Sequence, residues 1–339
     1  MRTNDNGAHS APYMMIAQRG TGDEARPAEQ LLRVMLLFCA ALFFTSPAWA
    51  AGESRIAVVY PDIGEPYRGI FEKIIEGIEQ KADDRVTKHP LNSDTDIGVL
   101  KASLLRDNTK VVIALGRQGM KTATMLNNGI GVVVGGVLTV PESEVRGQPV
   151  ISLSPDPALL FAHMKALMSA TKRVFVVYDP AYNDWLINLA KEAARAQGLE
   201  LVAYEAQDLR SAVRFYQEIF SAADSHSDVL WLPQDYTTVE ESTVLPMVLQ
   251  ESWNRDIAVF SSNSAHVRRG VLFSLYPDNL GLGKSLAELA QDFLRSGDYG
   301  RSGMIPLRDV QSAVNLRTAK HLRLKPARLQ GFDTTFPEQ

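Results

Sequence analysis

The sequence predicts an α/β fold with two lobes, each built on a doubly wound parallel sheet, from three observations. Short apolar runs rich in β-branched residues alternate with amphipathic stretches along residues 55–260. These runs have no polar face, which is typical of parallel strands covered on both sides. The segment SLSPD at residues 152–156 recurs as SLYPD at residues 274–278 and divides the chain. We therefore expect two lobes joined by crossover hinge strands.

The first lobe is predicted from four β-α units. Residues 55–60 (RIAVVY) indicate a strand, and residues 67–81 indicate a helix because Ile70, Ile74 and Ile78 recur on one face. The remaining elements of this lobe, in chain order, are a weaker strand at 85–91, a strand at 110–115, a helix from 116 through 127 and a strand at 131–134.

The same alternation resumes after the first SLxPD segment. Apolar strands such as RVFVVY and DVLWL are each followed by an amphipathic stretch, which predicts a second parallel sheet. In chain order, the helices are expected at 158–170, 184–197, 210–223 and 239–254, and the strands at 173–178, 200–204, 228–232 and 257–260.

Each SLxPD copy has the residues of a crossing between lobes. An extended segment leads to a proline and then to an aspartate suited to cap the next helix, and Pro157 stands at the favoured first helical position. Chance recurrence of so short a segment is the alternative. Four β-α units before the first copy and four between the copies favour crossings. The predicted lobes are residues 51–150 with 275–306, and residues 151–274 with 307–339, with hinges around 151–155, 272–277 and 305–310.

The first fifty residues predict an export signal. The apolar run at 34–44 follows Arg33 and is shorter than the roughly 20 residues that a membrane-spanning helix needs. Pro47 breaks the run, and Ala48 and Ala50 are the small residues of a cleavage site. We expect residues 1–50 to be a leader with a cleaved signal peptide, and the body to be periplasmic. An uncleaved anchor is the alternative, while a lipid anchor at Cys39 is disfavoured by the bulky residue before it.

Composition and motifs argue against several classes of function. The net charge of −4 and the lack of a conspicuous basic patch argue against nucleic-acid binding. The only cysteine, Cys39, lies in the signal, so thiolate chemistry is not expected in the body. HExxH and G-x-S-x-G are absent, and GLGKS at 281–285 lacks the first glycine of a phosphate loop. The sequence predicts no enzyme, no metal and no cofactor, and a monomer.

Candidate ligand contacts lie just after the predicted strands, because open parallel sheets bind ligands at their carboxyl ends. We expect contacts in the first lobe from Asp62, Gly64, Tyr67, Gly116, Arg117, Gln118 and Gly136. In the second lobe and at the return crossing we expect them from Tyr182, Gln234, Asp235, Tyr236, Ser261 and Tyr276.

Each of these residue types has a binding role and a structural one. The tyrosines could stack on a ring or a quaternary ammonium, or could pack helix starts against loops. Arg117 could pair with a ligand carboxylate at a helix start, or could be a solvated surface residue. Asp62 and Asp235 could receive a ligand amine, or could cap helices.

The carboxyl-terminal segment VNLRTAKHLRL at residues 314–324 is similar to the closing hN-L-K-T-A-K-x-L-G-L signature of a known family, with Arg323 where glycine is usual. Residues 114–116 (ALG), followed by Thr122 and Ala123, resemble that family's third strand and ligand loop. The chain thus resembles ABC-transporter substrate-binding proteins with the type I periplasmic-binding fold, of the tryptophan/tyrosine-binding kind.

The resemblance implies a protein that captures a small organic molecule, amino-acid-like or aromatic, by hinge closure and delivers it to an ABC permease. The residues PQD at 233–235 and the pair Arg117 and Gln118 depart from the family pattern where ligand contacts are expected. The ligand is therefore left open. A ligand sensor for a membrane receptor kinase is an alternative, and an exported α/β enzyme is a disfavoured one.

Overall fold

A computed structural model describes residues 55–337, apart from residues 84, 127, 128 and 146. The predicted leader and signal peptide lie outside the described residues. The described chain forms two sheets with helices on both faces of each, which confirms the predicted fold class.

The first lobe holds a six-stranded sheet. Its strands are β1 (Ile56–Pro61), β2 (Val86–Leu91), β3 (Val111–Leu115), β4 (Gly131–Val137), β5 (Pro149–Pro155) and β11 (Gly303–Leu307). Its helices are α1 (Tyr67–Lys81), α2 (Ile97–Arg106), α3 (Gly116–Ala123), α4 (Glu142–Val145) and α10 (Asn279–Ser296). The strand order is β2-β1-β3-β4-β5-β11, and neighbouring strands run parallel.

The second lobe holds a seven-stranded sheet. Its strands are β6 (Arg173–Tyr178), β7 (Glu200–Glu205), β8 (Asp228–Leu232), β9 (Ala258–Ser261), β10 (Phe273–Pro277), β12 (Val310–Asn315) and β13 (Thr334–Phe336). Its helices are α5 (Pro157–Leu167), α6 (Pro180–Ala196), α7 (Leu209–Ala222), α8 (Val244–Asn254), α9 (Ser264–Arg269) and α11 (Leu316–His321), with a 3₁₀ turn at Pro326–Leu329. The order β7-β6-β8-β9-β10-β12-β13 repeats the winding of the first sheet, and only the β10–β12 pair is antiparallel.

Inner strands such as β3 are apolar at every position because each sheet is covered on both faces. In β3, Val111, Ile113 and Leu115 belong to one buried cluster, whereas Val112 and Ala114 belong to the cluster on the other face. The side chains of a strand alternate between the two faces of its sheet, so every position of β3 is buried. The second sheet likewise has two buried clusters.

Helices α2 and α8 are among those that differ from the prediction, each for a local reason. Helix α2 was not predicted, yet Asp96 caps it by accepting hydrogen bonds from the amides of Gly98 and Val99. Helix α8 begins five residues later than the predicted position 239, at Val244. The Glu240 carboxylate accepts hydrogen bonds from two following amides, at 2.8 and 2.6 Å, and holds a turn there instead.

Helices α1 and α10 touch backbone to backbone. A Cβ atom built at Gly77 of α1 would overlap the carbonyl group of Leu280, and one built at Gly283 of α10 would overlap the carbonyl oxygen of Ile74. Only glycine permits this approach. The GLGKS segment lies within α10 and contains Gly283, so it forms part of this contact between helices.

The first SLxPD copy ends in a crossing between the sheets. The amide of Asp156 donates a hydrogen bond of 2.8 Å to the carbonyl oxygen of Leu307, on the third crossing segment. Its carboxylate accepts from the amide of Ala158 at the start of α5 and from the guanidinium of Arg308. The predicted capping role of Asp156 is confirmed.

The second copy is bound in the same way. The amide of Asp278 donates a hydrogen bond of 2.9 Å to the carbonyl oxygen of Asp309, and its carboxylate caps α10 at the amide of Leu280. The hydroxyl of Ser285 donates to the Asp309 carboxylate. The third crossing segment is therefore hydrogen-bonded to both of the others.

The crossings fall later than the predicted boundaries. Strand β5 stays in the first sheet to Pro155, and β10 stays in the second sheet to Pro277. Residues 151–155 thus lie with the first sheet, and residues 275–277 with the second. The third crossing follows Leu307, one residue beyond the predicted boundary.

Candidate functional site

A cavity of about 570 Å³ opens between the two lobes, at the carboxyl ends of the strands of both sheets. Its lining from the first lobe and first crossing comprises Tyr67, Ile70, Phe71, Ile74, Arg117, Gly136, Val137, Leu138, Thr139, Leu153 and Ser154. Its lining from the second lobe comprises Tyr182, Asn183, Gln234, Asp235, Tyr236 and Thr237. Most of the wall is apolar, and the polar groups come mainly from the second lobe.

The start of helix α1 forms the apolar wall. Ile70, Phe71 and Ile74 follow one another at helical spacing and line the cavity together. Behind the Phe71 ring, the backbones of Gly116 and Gly136 approach closely, and a Cβ atom at either glycine would lie 3.3 or 3.5 Å from the ring. Both glycines have φ near +70°, a conformation that other residues rarely adopt. Both glycines therefore seat the ring, and Gly136 also lines the cavity whereas Gly116 does not.

Arg117 carries the cationic group of the cavity wall. It lies in the first turn of α3, directly after β3, and its Nη1 lies 3.2 Å from the carboxylate of Glu144 on α4. Both side chains are more than 40% exposed, so the pair is worth at most about 1 kcal/mol. A ligand carboxylate can therefore replace Glu144 at modest cost.

Asp235 is fully occupied by hydrogen bonds within the protein. One carboxylate oxygen accepts from the amide of Asp179 at 2.7 Å and from the side chain of Asn183 at 2.9 Å. The other accepts from the amides of Thr237 and Thr238 at 3.0 and 2.9 Å. Four donors fill the acceptor sites of a carboxylate. Asp235 therefore does not cap the next helix, and it ties the loop after β8 to the start of α6.

Gln234 is the polar side chain of the cavity that is left unsatisfied. Its Oε1 atom is buried and has no hydrogen-bond partner among the described residues. A buried acceptor without a partner costs about 1–3 kcal/mol. A ligand that donates an N–H or O–H group to this oxygen would recover that free energy.

Three tyrosines lie along the cavity and keep much of their surface in solvent. Tyr67 is 60% exposed, Tyr182 is 52% exposed and Tyr236 is 85% exposed. Tyr67 belongs to the first lobe, whereas Tyr182 and Tyr236 belong to the second. Their rings are therefore free to cover a molecule from both sides.

The other predicted contact residues lie away from the cavity lining. Asp62 and Gly64 are exposed, and the Gln118 side chain donates toward the carbonyl oxygen of Asn92 at 3.5 Å. Gly116 lies behind Phe71. Asp62, Gly64 and Gln118 are outside the lining because the loop after β1 and the outer face of α3 point to solvent.

Ser261 and Tyr276 are held by structural hydrogen bonds instead. The Ser261 hydroxyl is buried, lies 2.8 Å from Nδ1 of His266 and accepts from the amide of Asn263. The Tyr276 hydroxyl lies 3.1 Å from that of Thr334 on β13. Neither residue belongs to the cavity lining, so the cavity lends no support to the prediction that they contact a ligand.

The apolar half of the lining was missed from the sequence. It comprises Ile70, Phe71, Ile74, Val137, Leu138 and Leu153, together with the polar Thr139, Ser154, Asn183 and Thr237. The isoleucine repeat of α1 was used only to predict the helix. Its continuation to Tyr67 and Phe71 at the helix start was the available signal.

No group of three or more His, Cys, Asp or Glu residues within residues 55–337, leaving out the four undescribed positions, could hold a metal ion. Burial lowers the pKa of His266 to about 4, against the opposing effect of Glu241. His266 binds Ser261 rather than facing the cavity.

None of the described helices is long and apolar enough to span a bilayer.

Residues 61–327 match the sequence model of a family described as ABC transporter substrate binding protein. None of the curated protein sequences matches the chain. A conserved domain protein from Vibrio cholerae O1 biovar El Tor has a TM-score of 0.50 at 19% identity, over 84% of this chain and 99% of that one.

Two further solved structures share the architecture. A domain from Streptococcus pneumoniae in complex with L-Trp has a TM-score of 0.51 at 18% identity, over 84% of this chain and 99% of that one. The ligand-free, open structure of a substrate-binding protein with adhesive properties from Clostridium difficile has a TM-score of 0.58 at 17% identity, over 83% and 98% of the two chains. At these identities the likeness shows the fold alone, which is that of type I periplasmic binding proteins.

Proposed function

Because the chain belongs to the family of ABC transporter substrate-binding proteins, we propose that it captures a small organic molecule between its two lobes and delivers it to an ABC permease. The observation that carries this proposal is the cavity between the lobes, which is lined from both sheets and contains the unpartnered Oε1 of Gln234. A volume of about 570 Å³ is within the range of small-molecule sites.

The lining favours a ligand with an apolar or aromatic body. Ile70, Phe71 and Leu138 offer apolar surface, and the tyrosines from both lobes can stack on a ring. A donor group on the ligand would satisfy Gln234, and a carboxylate would bind Arg117. An aromatic or apolar amino acid or carboxylic acid combines these features.

Capture would proceed by closure of the lobes about the three crossings. The crossings meet at the hydrogen bonds from Asp156 to Leu307 and from Asp278 to Asp309, which give a narrow hinge of backbone. Ligand contacts made with both lobes at once exist only when the lobes are closed, and they would supply the free energy of closure. The protein would bind its ligand without turning it over.

The proposed site of action is outside the cytoplasmic membrane, where substrate-binding proteins of this family usually work. An export signal in the first fifty residues would bring the chain there. We propose that it acts there as a monomer that docks on its permease only when closed.

Native mass spectrometry of protein exported and purified without added ligand tests the proposal. We expect one small molecule per chain, and after its removal a rise in melting temperature on adding the correct compound. L-Trp is the first probe because the neighbour from Streptococcus pneumoniae holds it. A chain that carries no molecule, and that no amino acid or aromatic acid stabilises, would contradict the proposal.

A further inference from the structure

The second lobe carries another groove, larger than the cavity and distant from it in the fold. Its volume is about 880 Å³. It includes Ile257, which precedes β9, and Gly270, which precedes β10, so it lies at the amino ends of these strands. The cavity between the lobes lies at the carboxyl ends. The two sites are therefore at opposite ends of the second sheet.

Aromatic rings held in place form part of this groove. The Trp253 ring is stacked on the His321 ring, with centroids 3.7 Å apart and planes 10° from parallel. The His321 Nε2 lies 3.0 Å from the carbonyl oxygen of Trp253 and 2.9 Å from the carboxylate of Asp256, which fixes the imidazole. Trp253 nevertheless remains 40% exposed. A large aromatic side chain left exposed on a fixed support is typical of a contact surface.

The charged side chains of the groove are all cationic. They are Arg268, Arg269 and Arg317, and none of the described lining residues is an aspartate or glutamate. Within the described chain, none of these three arginines has a carboxylate at ion-pair distance, and Arg269 donates only to a backbone carbonyl. Arg317 and Arg268 instead lie over aromatic rings, with Cζ 5.6 Å from the centroid of Trp253 and 5.0 Å from that of Phe336.

The sequence around the groove strengthens this positive charge. Residues 316–329 contain five lysines or arginines and no acidic residue, in a chain whose net charge is −4. The expectation that no basic patch stands out was therefore too broad, because the patch is formed only when α9 is folded against this segment.

We propose that this groove docks an acidic peptide segment of a protein partner, with carboxylates on Arg268 and Arg317 and an apolar side chain against Trp253. Guanidinium groups without a carboxylate partner bind carboxylates through paired hydrogen bonds, and the charge of the groove selects an acidic partner. A recessed groove suits an inserted chain, whereas insertion into a membrane requires apolar side chains that protrude. Its volume also exceeds what one small anion would fill.

The docking site is independent of the proposed cleft ligand. It shares no lining residue with the cavity between the lobes, so both can be occupied at once. A variant of the groove is therefore expected to keep its cleft binding, and this separates the two proposals experimentally.

Fluorescence anisotropy with a labelled acetyl-Glu-Glu-Phe-Glu-Glu-amide peptide and the purified full chain tests the proposal. We expect saturable binding that weakens as salt rises, because charges exposed to solvent are screened. The double variant R268E/R317E should bind at least tenfold more weakly, and R268Q/R317Q should lie between it and the wild type. Arg301, an exposed arginine of the first lobe, supplies the matched control R301E, which should bind as the wild type does.

Circular dichroism and the melting temperature show whether the variants are folded, and the substituted side chains are exposed. Equal binding of the matched lysine peptide, acetyl-Lys-Lys-Phe-Lys-Lys-amide, would overturn the proposal. An equal loss of peptide affinity in R301E would also overturn the proposal. Full displacement of the acidic peptide by millimolar inorganic phosphate would do the same. Binding to phosphatidylglycerol vesicles that R268E/R317E abolishes, without binding of the acidic peptide, would assign the groove to a membrane instead.

Discussion

The Arg117 guanidinium lies 3.2 Å from the Glu144 carboxylate, and Arg117 also lines the cavity between the lobes. The guanidinium that would bind a ligand carboxylate is thus paired with the carboxylate of Glu144, which belongs to the protein itself. Because both side chains are exposed, this internal pair is weak and its partners can exchange.

Removing the internal competitor should strengthen binding of an acidic ligand. We expect E144Q to raise the affinity for a carboxylate ligand about two- to fivefold, in line with an exposed pair worth up to about 1 kcal/mol. R117Q should lower it about tenfold. Calorimetric titration with the carboxylate ligand measures the affinity of each variant. The neutral amide of the same ligand should bind E144Q, R117Q and the wild type with equal affinity. Unchanged affinity in R117Q would remove Arg117 from the site.

Gln234 should determine binding through its buried oxygen. Q234M keeps the length of the side chain and removes the acceptor, so we expect at least tenfold weaker ligand binding. Its stability should be equal or higher, since an unsatisfied buried acceptor is gone. Q234E keeps an acceptor and should retain more affinity than Q234M. Gln118, outside the cavity, supplies the control Q118M. Equal affinities for Q234M and wild type would contradict this role.

The contact between α1 and α10 should tolerate no side chain at Gly77. A Cβ atom there meets the carbonyl group of Leu280, so G77A must push the helices apart, at a cost of about 1–3 kcal/mol or more. On the same helix, a Cβ atom at Gly69 meets only the end of Glu65 at 3.6 Å. G69A should therefore be neutral or stabilising by about 0.5–1 kcal/mol. Urea denaturation of both variants measures the difference, and similar midpoints would refute the close contact.

Stability should depend on pH through His266. Burial lowers its pKa in the folded protein to about 4, from an ordinary value of 6.5. Between these values the unfolded chain binds more protons, so stability is full above pH 6.5 and falls as the pH drops toward 4. The expected loss between pH 7.5 and 4.5 is about 2–3 kcal/mol. H266N should lack this part of the dependence.

Urea midpoints of wild type, H266N and H226N across this range measure the effect. His226 is 92% exposed in its side chain, so H226N should keep the wild-type dependence. An identical pH dependence in H266N and wild type would show that His266 is not the group responsible.

The fold could be predicted because its signal is local. A strand such as β6, at residues 173–178, is apolar at nearly every position because both faces of its sheet are covered, and such runs are visible in the sequence. Helix α2 was not predicted because only two of its residues, Leu100 and Leu104, are buried, while its apolar residues Val99 and Leu105 are exposed. The crossings were predicted to within five residues. They could not be placed more closely, since the strand pairing beyond Ser152 depends on contacts distant in sequence.

The candidate site could be predicted only in part. The rule that ligands lie after strands led to Arg117, Tyr182 and Gln234, which do line the cavity. The same rule led to Ser261, which is outside the lining, and to Asp235, which lines the cavity with a carboxylate that is already hydrogen-bonded. Their hydrogen bonds join segments far apart in the chain or complete a loop, and these cannot be read locally. The apolar lining comes from a helix face that also forms core.

Calorimetric titration of a cavity-filling variant tests the central claim most directly. With the molecule that co-purifies, the wild type should bind one ligand per chain. T139W should bind none, because an indole at this lining position occupies the cavity. M125W, which adds the same ring at an exposed position outside the cavity, should bind as the wild type does. Full binding by a folded T139W would contradict the account, because the ligand would then lie elsewhere than between the lobes.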